Sequence, residues 1–532
     1  MICRKQAGSL EPATTGAHEI PGIPEETMSS SHPATPAEHF DVLIVGAGIS
    51  GIGAAWHMRH QCPDKSFCVL EAQAGYGGTW RTHTYPGIRS DSDLYTFGYR
   101  FKPWEGAPIA AAQEILTYMG EVIEENDLDQ HIRYSHRILA ADWSSDDKVW
   151  TLTARNEATG ETRKFTASFL WMCQGYYNHE KGYTPEWEGM DSFRGQIIHP
   201  QTWPDDVDLS GKKVICIGSG ATAATVVPAI AADCDHVTLL QRSPTYFTPG
   251  RNVNELADAL REEGVDADWI HKIIRKRVLF DQAKFTQLAQ EQPDIVRAEL
   301  LKGVRDLLGP DYPIDPHFTP KYRPWQQRIA FVPDGDLFQG IASGKASVVT
   351  DHIDRFTESG ILLKSGEELE ADIIITATGF NLSVLGDIPF SKDGTPIDFS
   401  QTVTYRGMMF TGVPNMAWVF GYFRASWTLR VDLMGDFISR LLKHMDRIGA
   451  KEVRVELREE DRDMEILPWM DPDNFNPGYM MRSLHLMPKR GAHDIWQHSQ
   501  DYWREKDEMP LIDLDGAEFV YDRQTAKVPE TA

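Results

Sequence analysis

The chain has 532 residues, more than one hydrophobic core supports, so its length predicts two or more domains. Its formal charge of -25 at pH 7 excludes a general nucleic-acid binder, because a phosphate backbone would be repelled over most of the surface. The sequence contains no apolar run of about eighteen residues, which predicts no integral membrane segment.

The N-terminal 38 residues are rich in Pro, Ser and Thr and lack the apolar core of a secretory signal. This composition predicts a disordered extension over residues 1–38. The cysteines form no C-x-x-C pair, which predicts a reduced, cytoplasmic protein with no disulfide framework and no metal site. They are Cys3, Cys62, Cys68, Cys173, Cys216 and Cys234.

Residues 41–80 show the order strand, Gly-rich turn, helix and strand that is typical of a βαβ unit. Gly46, Gly48 and Gly51 have G-x-G-x-x-G spacing directly after the apolar run VLIV. Such a turn lets the backbone approach a pyrophosphate, to which the following helix N-terminus offers free N–H groups. Glu71 ends the second strand, where a carboxylate accepts bonds from a ribose and repels a 2'-phosphate, so this turn prefers FAD or NAD.

A second unit of the same kind occupies residues 212–242, after an alternating pattern at 141–172 that predicts an antiparallel hairpin. Gly218, Gly220 and Ala223 have G-x-G-x-x-A spacing. Arg242 ends the second strand, where a guanidinium would hold a 2'-phosphate, so this turn prefers NADPH. Glu71 and Arg242 could each be ordinary surface charges, but their opposite signs favour two nucleotide sites that exchange a hydride.

Residues 253–310 are charged and helical in pattern, without a strand signal, which predicts a helical insertion in the second nucleotide domain. The segment WIHKIIRKRVLF, residues 269–280, has an apolar face and a basic remainder. We favour a packed helix with a solvated basic face over a helix that lies on a membrane surface. The apolar face is predicted to contain Ile270, Ile273, Ile274 and Val278, and the solvated residues are Lys272, Arg275, Lys276 and Arg277.

A long amphipathic helix is predicted to begin near residue 427, with Ser426 as its N-cap. Leu429, Leu433 and Phe437 share one face at helical spacing. The positive end of such a helix could point at a flavin, although a core helix without contact to a cofactor is an equal interpretation.

The segment FRGQIIHPQTWP carries Phe193, Gly195, His199, Trp203 and Pro204 in F-x-G-x-x-x-H-x-x-x-W-P spacing. This pattern resembles the fingerprint of Baeyer-Villiger monooxygenases, class B flavin monooxygenases that insert oxygen beside a ketone. Related enzymes that oxygenate sulfur or nitrogen carry Tyr in place of the Trp. The resemblance includes GGTW, YPGIRSDSD, GSGATA and TATG, and RSDSDLYTFGYRF, PWQQR and GYFRASWTL are similar to the branch of ethionamide-activating monooxygenases.

The resemblance implies an α/β fold with two Rossmann-like dinucleotide-binding domains, one for FAD and one for NADPH, and a helical insertion in the NADPH domain. The FAD domain is expected at 39–182 and, with a C-terminal segment, at 366–532. The NADPH domain is expected at 183–252 and 323–365, with the insertion at 253–322.

The resemblance also implies roles for single residues. Arg328 matches the active-site arginine, and Asp91, favoured over Asp93, would orient it. An arginine keeps its proton, as a C4a-peroxyflavin that attacks a carbonyl requires. Gln327 stands where well-known members have Lys, so NADPH selectivity rests more on Arg242.

Further residues are assigned by the same comparison. Phe193, Gly195, His199 and Trp203 belong to a linker between the nucleotide domains, in which His199 and Trp203 would fix the geometry and transmit cofactor binding, and His199 would not act as a catalytic base. The FAD site and its contact with the nicotinamide are assigned to Gly46, Gly48, Ser50, Gly51, Glu71, Thr79, Trp80, Arg89, Ser90 and Asp91. The NADPH site is assigned to Gly218, Ser219, Gly220, Ala221, Thr222, Ala223, Gln241 and Arg242.

The expected reaction is NADPH- and O2-dependent oxidation of a small-molecule ketone to an ester or lactone. Oxygenation of sulfur or nitrogen stays an alternative that Trp203 disfavours, and so does an inactive nucleotide-sensing module, which Asp91 and Arg328 disfavour. We expect a monomer or weak oligomer with no nucleic-acid partner. The substrate pocket is expected to be shaped by the helical insertion and by residues 421–428 and 479–487.

Overall fold

A computed structural model describes residues 37–523. The predicted N-terminal extension, up to residue 36, and the last nine residues of the predicted 366–532 segment lie outside the described residues.

Within residues 37–523, the larger sheet has nine strands. Glu38–Val45 is its central strand and pairs in parallel with Phe67–Leu70 and with Thr162–Met172. Val149–Asn156 runs antiparallel to Thr162–Met172, which confirms the predicted hairpin. The strands lie in the order Thr395–Pro396, Phe390–Lys392, His136–Ser144, Val149–Asn156, Thr162–Met172, Glu38–Val45, Phe67–Leu70 and Ile132–Arg133, and Met416–Trp418 pairs beside this path with Thr162–Met172.

A second sheet of five strands is parallel throughout. Its central strands are apolar on both faces because helices cover one face and the small sheet of Ile353–Phe356 and Gly360–Leu363 covers the other. Their order is Ala346–Thr350, His236–Gln241, Lys213–Ile217, Ile373–Thr376 and Gln196–Ile198. Smaller sheets join Phe247–Gly250 with Ala330–Pro333, Ile353–Phe356 with Gly360–Leu363 and Glu368–Glu370, Tyr177–Gly182 with Phe380–Leu382, Thr404–Tyr405 with Met409–Phe410, Ala450–Val455 with Phe519–Arg523, and Ile466–Pro468 with Lys489–Gly491.

The α-helices of the described residues are Ile49–Gln61, Thr79–Thr82, Leu94–Phe97, Ala112–Glu125, Ala221–Ile230, Glu255–Glu262, Ala267–Glu291, Pro293–Leu308, Ile314–His317, Asp336–Ala342, Trp427–Ile448, Gly478–Ser483 and Tyr502–Glu508. Short 3-10 turns occur at Asp129–His131, Met190–Ser192, Pro200–Thr202, Val384–Asp387, Phe399–Gln401, Glu459–Asp461, Leu484–Leu486, Asp494–Trp496 and Met509–Leu511. None of the helices between residues 37 and 523 has both the length and the apolar character that a membrane crossing requires.

The long helix Trp427–Ile448 follows Ser426 as predicted. Leu429, Leu433 and Phe437 are buried along it, so the predicted apolar face is confirmed. Ser426 occupies the N-cap position, but its hydroxyl pairs with the Thr96 hydroxyl at 2.7 Å instead of capping the helix backbone.

The helical segment contains Glu255–Glu262, Ala267–Glu291 and Pro293–Leu308. Ile270 and Ile274 are buried, but Ile273 is exposed, and Arg275, predicted to be solvated, is buried. That part of the prediction is wrong, because the buried stripe runs through 270, 271, 274 and 275, one position round the helix from the expected one.

The cause lies in tertiary contacts that replace water around the Arg275 guanidinium. Its Nη1 donates to the carbonyls of Tyr95, Thr96 and Gly98 at 3.0, 3.2 and 2.8 Å, and its Nη2 lies 3.6 Å from Asp432 Oδ2. The helix thereby packs on the side of the molecule that holds the larger sheet, against Leu94–Phe97, and reaches Trp427–Ile448 through Asp432.

Candidate active site

A single cavity of about 1210 Å³ is lined by both glycine turns. Gly46 and Gly48 follow the strand Glu38–Val45, and Gly218 and Gly220 follow Lys213–Ile217. Each turn therefore lies at the carboxyl end of a parallel strand, where open α/β sheets bind ligands. The two nucleotide turns predicted from the sequence share one space.

The first turn brings the helix Ile49–Gln61 to the cavity without a side-chain cap at Gly48. A Cβ on Gly51 would lie 1.8 Å from the Gly46 carbonyl oxygen, so no side chain fits there. Ser50 is buried, and its hydroxyl accepts the Trp427 indole N–H at 2.7 Å. Ser50 and Gly51 support the turn from behind and do not line the cavity.

Glu71 is buried at the end of the strand Phe67–Leu70 and lines the cavity. Its Oε2 accepts the Ala47 N–H at 2.6 Å, and its Oε1 accepts the Gln73 N–H at 2.7 Å. Burial raises the pKa of Glu71, and the two backbone bonds oppose that rise. The carboxylate is thus fixed beside the turn, with lone pairs left for a ligand.

The second turn starts the helix Ala221–Ile230, again without a side-chain cap, at Gly220. A Cβ added at Gly220 would meet no atom within 4 Å, so the turn faces open space. Ser219, Ala221 and Thr222 line the cavity, and Ser219 Oγ donates to the Ser243 carbonyl at 2.8 Å. Ala223 is buried beneath the turn and does not line the cavity.

Arg242 is an exposed residue of the cavity wall. Its guanidinium makes no hydrogen bond or ion pair with any other residue of 37–523, which leaves it available for an anion. Its neighbour Gln241 is buried outside the cavity lining, and its Nε2 donates to the His317 carbonyl at 2.6 Å and to Thr350 Oγ1 at 3.0 Å. Gln241 thus anchors the strand end.

The stretch from Thr79 to Asp91 forms a wall of the cavity, with Trp80, Arg89 and Ser90 in the lining. Arg89 makes two bonds to Asp336, Nη1 to Oδ2 at 2.5 Å and Nη2 to Oδ1 at 3.2 Å. Ser90 Oγ accepts the Ala110 N–H at 3.2 Å.

Part of this stretch packs on the smaller parallel sheet. Tyr85 belongs to the apolar cluster of that sheet, and Ile88 packs against it. A Cβ added at Gly87 would lie 2.7 Å from the Ala229 Cβ on the helix Ala221–Ile230. The stretch therefore touches both nucleotide regions.

Asp91 and Asp93 have different surroundings. Asp91 is exposed, lines the cavity and accepts the Ser92 hydroxyl at 3.2 Å. Asp93 caps the helix Leu94–Phe97 by accepting the Tyr95 N–H at 2.8 Å, and burial raises its pKa to about 6. Asp93 is thus occupied by the backbone, whereas Asp91 faces the cavity.

Arg328 lines the cavity, and its Nε donates to the Tyr479 hydroxyl at 3.4 Å. The pKa of Arg328 is held well above its usual value, chiefly by Tyr479. Burial lowers this pKa, and Tyr176 and Asp91 raise it further. No hydrogen bond or ion pair between Arg328 and Asp91 occurs within the described part of the chain. Tyr479 is the direct partner of the guanidinium.

Sequence reasoning missed Tyr176 and Tyr177, which form an aromatic group in the lining with Tyr479 of the expected segment 479–487. The Tyr176 and Tyr177 hydroxyls lie 2.9 Å apart, and Tyr176 stacks on Trp427 at 5.2 Å. The doublet in QGYYNH, directly after the strand Thr162–Met172, was the available signal.

His83 was also missed. It lines the cavity, is buried, and neither ring nitrogen has a hydrogen-bond partner within residues 37–523. Burial lowers the pKa of His83 to about 4, so the ring is neutral at neutral pH. It offers one donor and one acceptor to a ligand.

The segments expected to shape the pocket contribute unequally. Tyr422, Ala425 and Trp427 line it from the expected segment 421–428, and Tyr479 and Arg482 line it from the expected segment 479–487. None of its lining residues belongs to 253–322, so the expected contribution of the insertion is wrong. The helical segment instead packs away from the cavity, where Arg275 bonds to the carbonyls of Tyr95, Thr96 and Gly98.

The fingerprint residues lie outside the lining. His199 Nε2 is 3.2 Å from the Gly379 carbonyl, its Nδ1 accepts the Gln201 N–H at 3.1 Å, and burial lowers its pKa. A Cβ on Gly195 would lie 2.1 Å from the Asp372 carbonyl, and Phe193 meets the Phe356 ring edge-on. Trp203 packs against the core of the smaller parallel sheet, so all four have structural contacts.

Residues 37–523 contain no group of three or more His, Cys, Asp or Glu residues that could hold a metal ion.

Comparisons with known proteins agree with this architecture. Residues 44–102 match the model of an NAD(P)-binding Rossmann-like domain, and residues 107–254 match that of flavin-binding monooxygenase-like proteins. The FAD-containing monooxygenase EthA of Mycolicibacterium smegmatis is 48% identical over 88% of this chain and 94% of its own length. The probable FAD-binding monooxygenase AlmA of Acinetobacter baylyi is 42% identical over 92% of this chain and 98% of its own length.

Solved structures share the fold at lower identity. A steroid monooxygenase bound to NADP superposes with a TM-score of 0.72 at 22% identity, over 91% of this chain and 99% of that one. Cyclohexanone monooxygenase from Rhodococcus sp. Phi1, bound to NADP+, gives 0.69 at 20% identity over the same shares. The predicted α/β fold with two Rossmann-like dinucleotide-binding domains is confirmed. The chain belongs to the family of FAD-containing flavin monooxygenases.

Proposed function

We propose that this protein uses NADPH and O2 to insert one oxygen atom next to a ketone carbonyl, giving an ester or lactone. The observation that carries the proposal is that two glycine turns and Arg328 line one cavity. Two dinucleotides and a permanent cation in one space are what this reaction needs.

FAD fits the first turn. The uncapped N-terminus of Ile49–Gln61 offers free N–H groups to a pyrophosphate, and Glu71 is fixed where it can accept ribose hydroxyls. Thr79 and Trp80 would line the ring, and His83 has two unpartnered ring nitrogens to offer. When bound, FAD supplies the capacity to take a hydride from NADPH and to activate O2.

NADPH fits the second turn for a parallel reason. The helix Ala221–Ile230 is also uncapped, and the space beside Gly220 is open. Arg242 is exposed and unpaired, and a guanidinium holds a 2'-phosphate with two hydrogen bonds. Gln327, which lies 3.4 Å from Asn476 Oδ1 through its Nε2, carries no charge for this phosphate.

Arg328 is the proposed catalytic residue. Its guanidinium stays protonated throughout, so it can stabilise a negatively charged oxygen without giving up a proton to it. The same cation can stabilise the oxyanion that forms when a ketone carbonyl is attacked, a contribution of about 3–4 kcal/mol in comparable sites. Tyr479 holds the guanidinium by its Nε, and Asp91 faces the same space.

Aromatic side chains keep the reaction away from water. Tyr176, Tyr177, Phe380 and Trp427 form part of the wall near Tyr479. Such a wall strengthens the electrostatic effect of Arg328 because it lowers the local dielectric constant.

The test compares Arg328→Ala with wild type, and with Arg305→Ala as an exposed control in the helical segment, none of which lines the cavity. We expect Arg328→Ala to bind FAD and to be reduced by NADPH within about twofold of wild type, but to form no ester from a panel of ketones. Product identification by mass spectrometry measures the second effect. Wild-type ester yield in Arg328→Ala would refute the role of this residue.

The alternatives predict different products. An enzyme that oxygenates sulfur or nitrogen would convert a thioether and leave a matched methyl ketone unchanged. An inactive nucleotide-sensing module would bind NADPH and release neither product nor hydrogen peroxide. Purified protein that shows no flavin absorbance after addition of FAD would remove the whole proposal.

A further inference from the structure

Exposed apolar side chains concentrate in the helical segment. The large exposed hydrophobic residues of 37–523 are Leu139, Val253, Leu256, Trp269, Ile273, Phe280, Ile295, Leu307, Ile466, Leu486 and Leu511. Seven of these eleven lie between residues 253 and 308, in a segment that does not line the cavity. This concentration marks an interaction surface, since isolated exposed hydrophobic residues are ordinary but clusters are not.

The helix Ala267–Glu291 carries the largest of these side chains. Trp269 is 63% exposed, Ile273 40% and Phe280 50%. Their spacing of four and seven residues places them on one face of the helix, opposite the centre of the buried stripe at 270, 271, 274 and 275. The helix is therefore anchored by one face and presents an aromatic face to solvent.

Basic residues lie on the same exposed face. Lys272, Lys276, Arg277 and Lys284 are exposed, and Asp281, paired with Arg277 at 2.8 Å, is the one carboxylate among residues 269–284. The Lys272 ammonium lies 5.4 Å from the Trp269 ring and that of Lys284 lies 4.3 Å from the Phe280 ring. We refer to Trp269, Ile273 and Phe280 with these four basic residues as the outer face.

From the outer face we infer that the protein docks on the surface of an anionic lipid bilayer, with the helix parallel to the membrane plane. Aromatic rings settle at the level of lipid headgroups, and Lys and Arg attract anionic lipids while their stems cover apolar surface. The inference concerns attachment only and does not depend on the proposed ketone oxidation.

Charge decides between a bilayer and a second copy of the chain. In a two-fold dimer built on this face, the same basic residues would meet each other and repel. An anionic bilayer offers the opposite charge. The chain as a whole carries -25, whereas the outer face is basic, so this face has the charge that attracts such a membrane. Salt screens charges beyond about 8 Å, which confines the attraction to this face.

The experiment sediments the full-length FAD-loaded protein with vesicles of phosphatidylcholine and phosphatidylglycerol, and with vesicles of phosphatidylcholine alone. Trp269→Ala with Phe280→Ala removes the aromatic part of the outer face, and Lys272→Glu with Lys276→Glu reverses its charge. The matched controls are Leu486→Ala with Leu511→Ala and Lys164→Glu with Lys451→Glu, which change exposed residues elsewhere.

We expect wild type and both controls to bind the anionic vesicles, and each outer-face variant to lose at least about tenfold in binding. Binding of wild type should fall as salt is added. Circular dichroism and flavin content should match wild type in all variants, because the changed residues are exposed.

Three results would overturn the inference. The first is wild-type protein that stays in the supernatant with anionic vesicles. The second is vesicle binding that the outer-face variants keep. The third is a concentration-dependent dimer that Trp269→Ala with Phe280→Ala abolishes, without vesicle binding, which would assign the face to a second copy.

Discussion

Two arginines of one helix, Arg275 and Arg277, provide a sharp test of how the helical segment docks. Arg275→Met keeps most of the side-chain volume and helix propensity but removes the guanidinium. Arg277→Met makes the same chemical change two residues away, where the guanidinium is exposed and pairs with Asp281 at 2.8 Å. The two variants differ in the surroundings of the lost charge.

The expected cost follows from the contacts of Arg275. Its Nη1 has two hydrogens shared among the carbonyls of Tyr95, Thr96 and Gly98, so about two bonds from a charged donor are lost, at about 1.5–3 kcal/mol each. Asp432 Oδ2 still accepts the Arg100 backbone N–H at 3.2 Å in the variant. This bond limits the free-energy cost of removing Arg275 from beside the Asp432 carboxylate. We expect Arg275→Met to lower the free energy of unfolding by about 3–5 kcal/mol, and Arg277→Met by about 0.5 kcal/mol.

Urea unfolding followed by circular dichroism measures the difference, and hydrogen exchange of amides 267–291 reports the segment itself. Exchange in this helix should accelerate in Arg275→Met and stay unchanged in Arg277→Met, because loss of docking exposes the helix before the sheets open. A difference between the two variants below about 1 kcal/mol would refute the reasoning that Arg275 is a buried docking residue.

Three further predictions concern Arg242, Gly51 and the buried His271. Arg242→Ala should lower the ratio of kcat/KM for NADPH to that for NADH by about tenfold or more, since a charged hydrogen bond is lost, and an unchanged ratio in steady-state kinetics would contradict this. Gly51→Ala should yield protein without flavin absorbance, because its Cβ would lie 1.8 Å from the Gly46 carbonyl oxygen; normal flavin content would contradict the geometry of the turn. Burial is the largest influence on His271 and lowers its pKa from 6.5 to about 4. As the pH falls, the unfolded chain therefore binds the proton before the folded protein does. The stability that is present above pH 6.5 should fall as the pH drops towards 4. His271→Gln should flatten this slope in acid titrations of unfolding, and an unaltered slope would show that other groups cause it.

Local patterns predicted the parts of the fold that local forces decide. The two glycine turns depend on residues next to each other in sequence, and the apolar face of Trp427–Ile448 depends on helical periodicity. The local patterns could not predict contacts between residues that are far apart in the sequence. The local pattern predicts a solvated Arg275. The side chain is buried because three carbonyls from residues 95–98 accept hydrogen bonds from it.

The candidate site shows the same division. The pairing of Arg328 with Tyr479 joins positions 151 residues apart, and no short motif encodes it. The Ser50 hydroxyl, expected at the cofactor, is taken up by Trp427, 377 residues away. Gly46, Gly48 and Glu71, which line the cavity, could be singled out because the signal for each lies in one short motif.

The contact between Gly87 and Ala229 has an evolutionary consequence. A Cβ at 87 would lie 2.7 Å from the Ala229 methyl group and 3.1 Å from the Thr225 carbonyl oxygen, and φ of Gly87 is +75°, so both the contact and the backbone conformation disfavour a side chain there. A smaller residue at 229 would relieve only the first of these restraints. An alignment of relatives should therefore show glycine at 87 whichever small residue stands at 229.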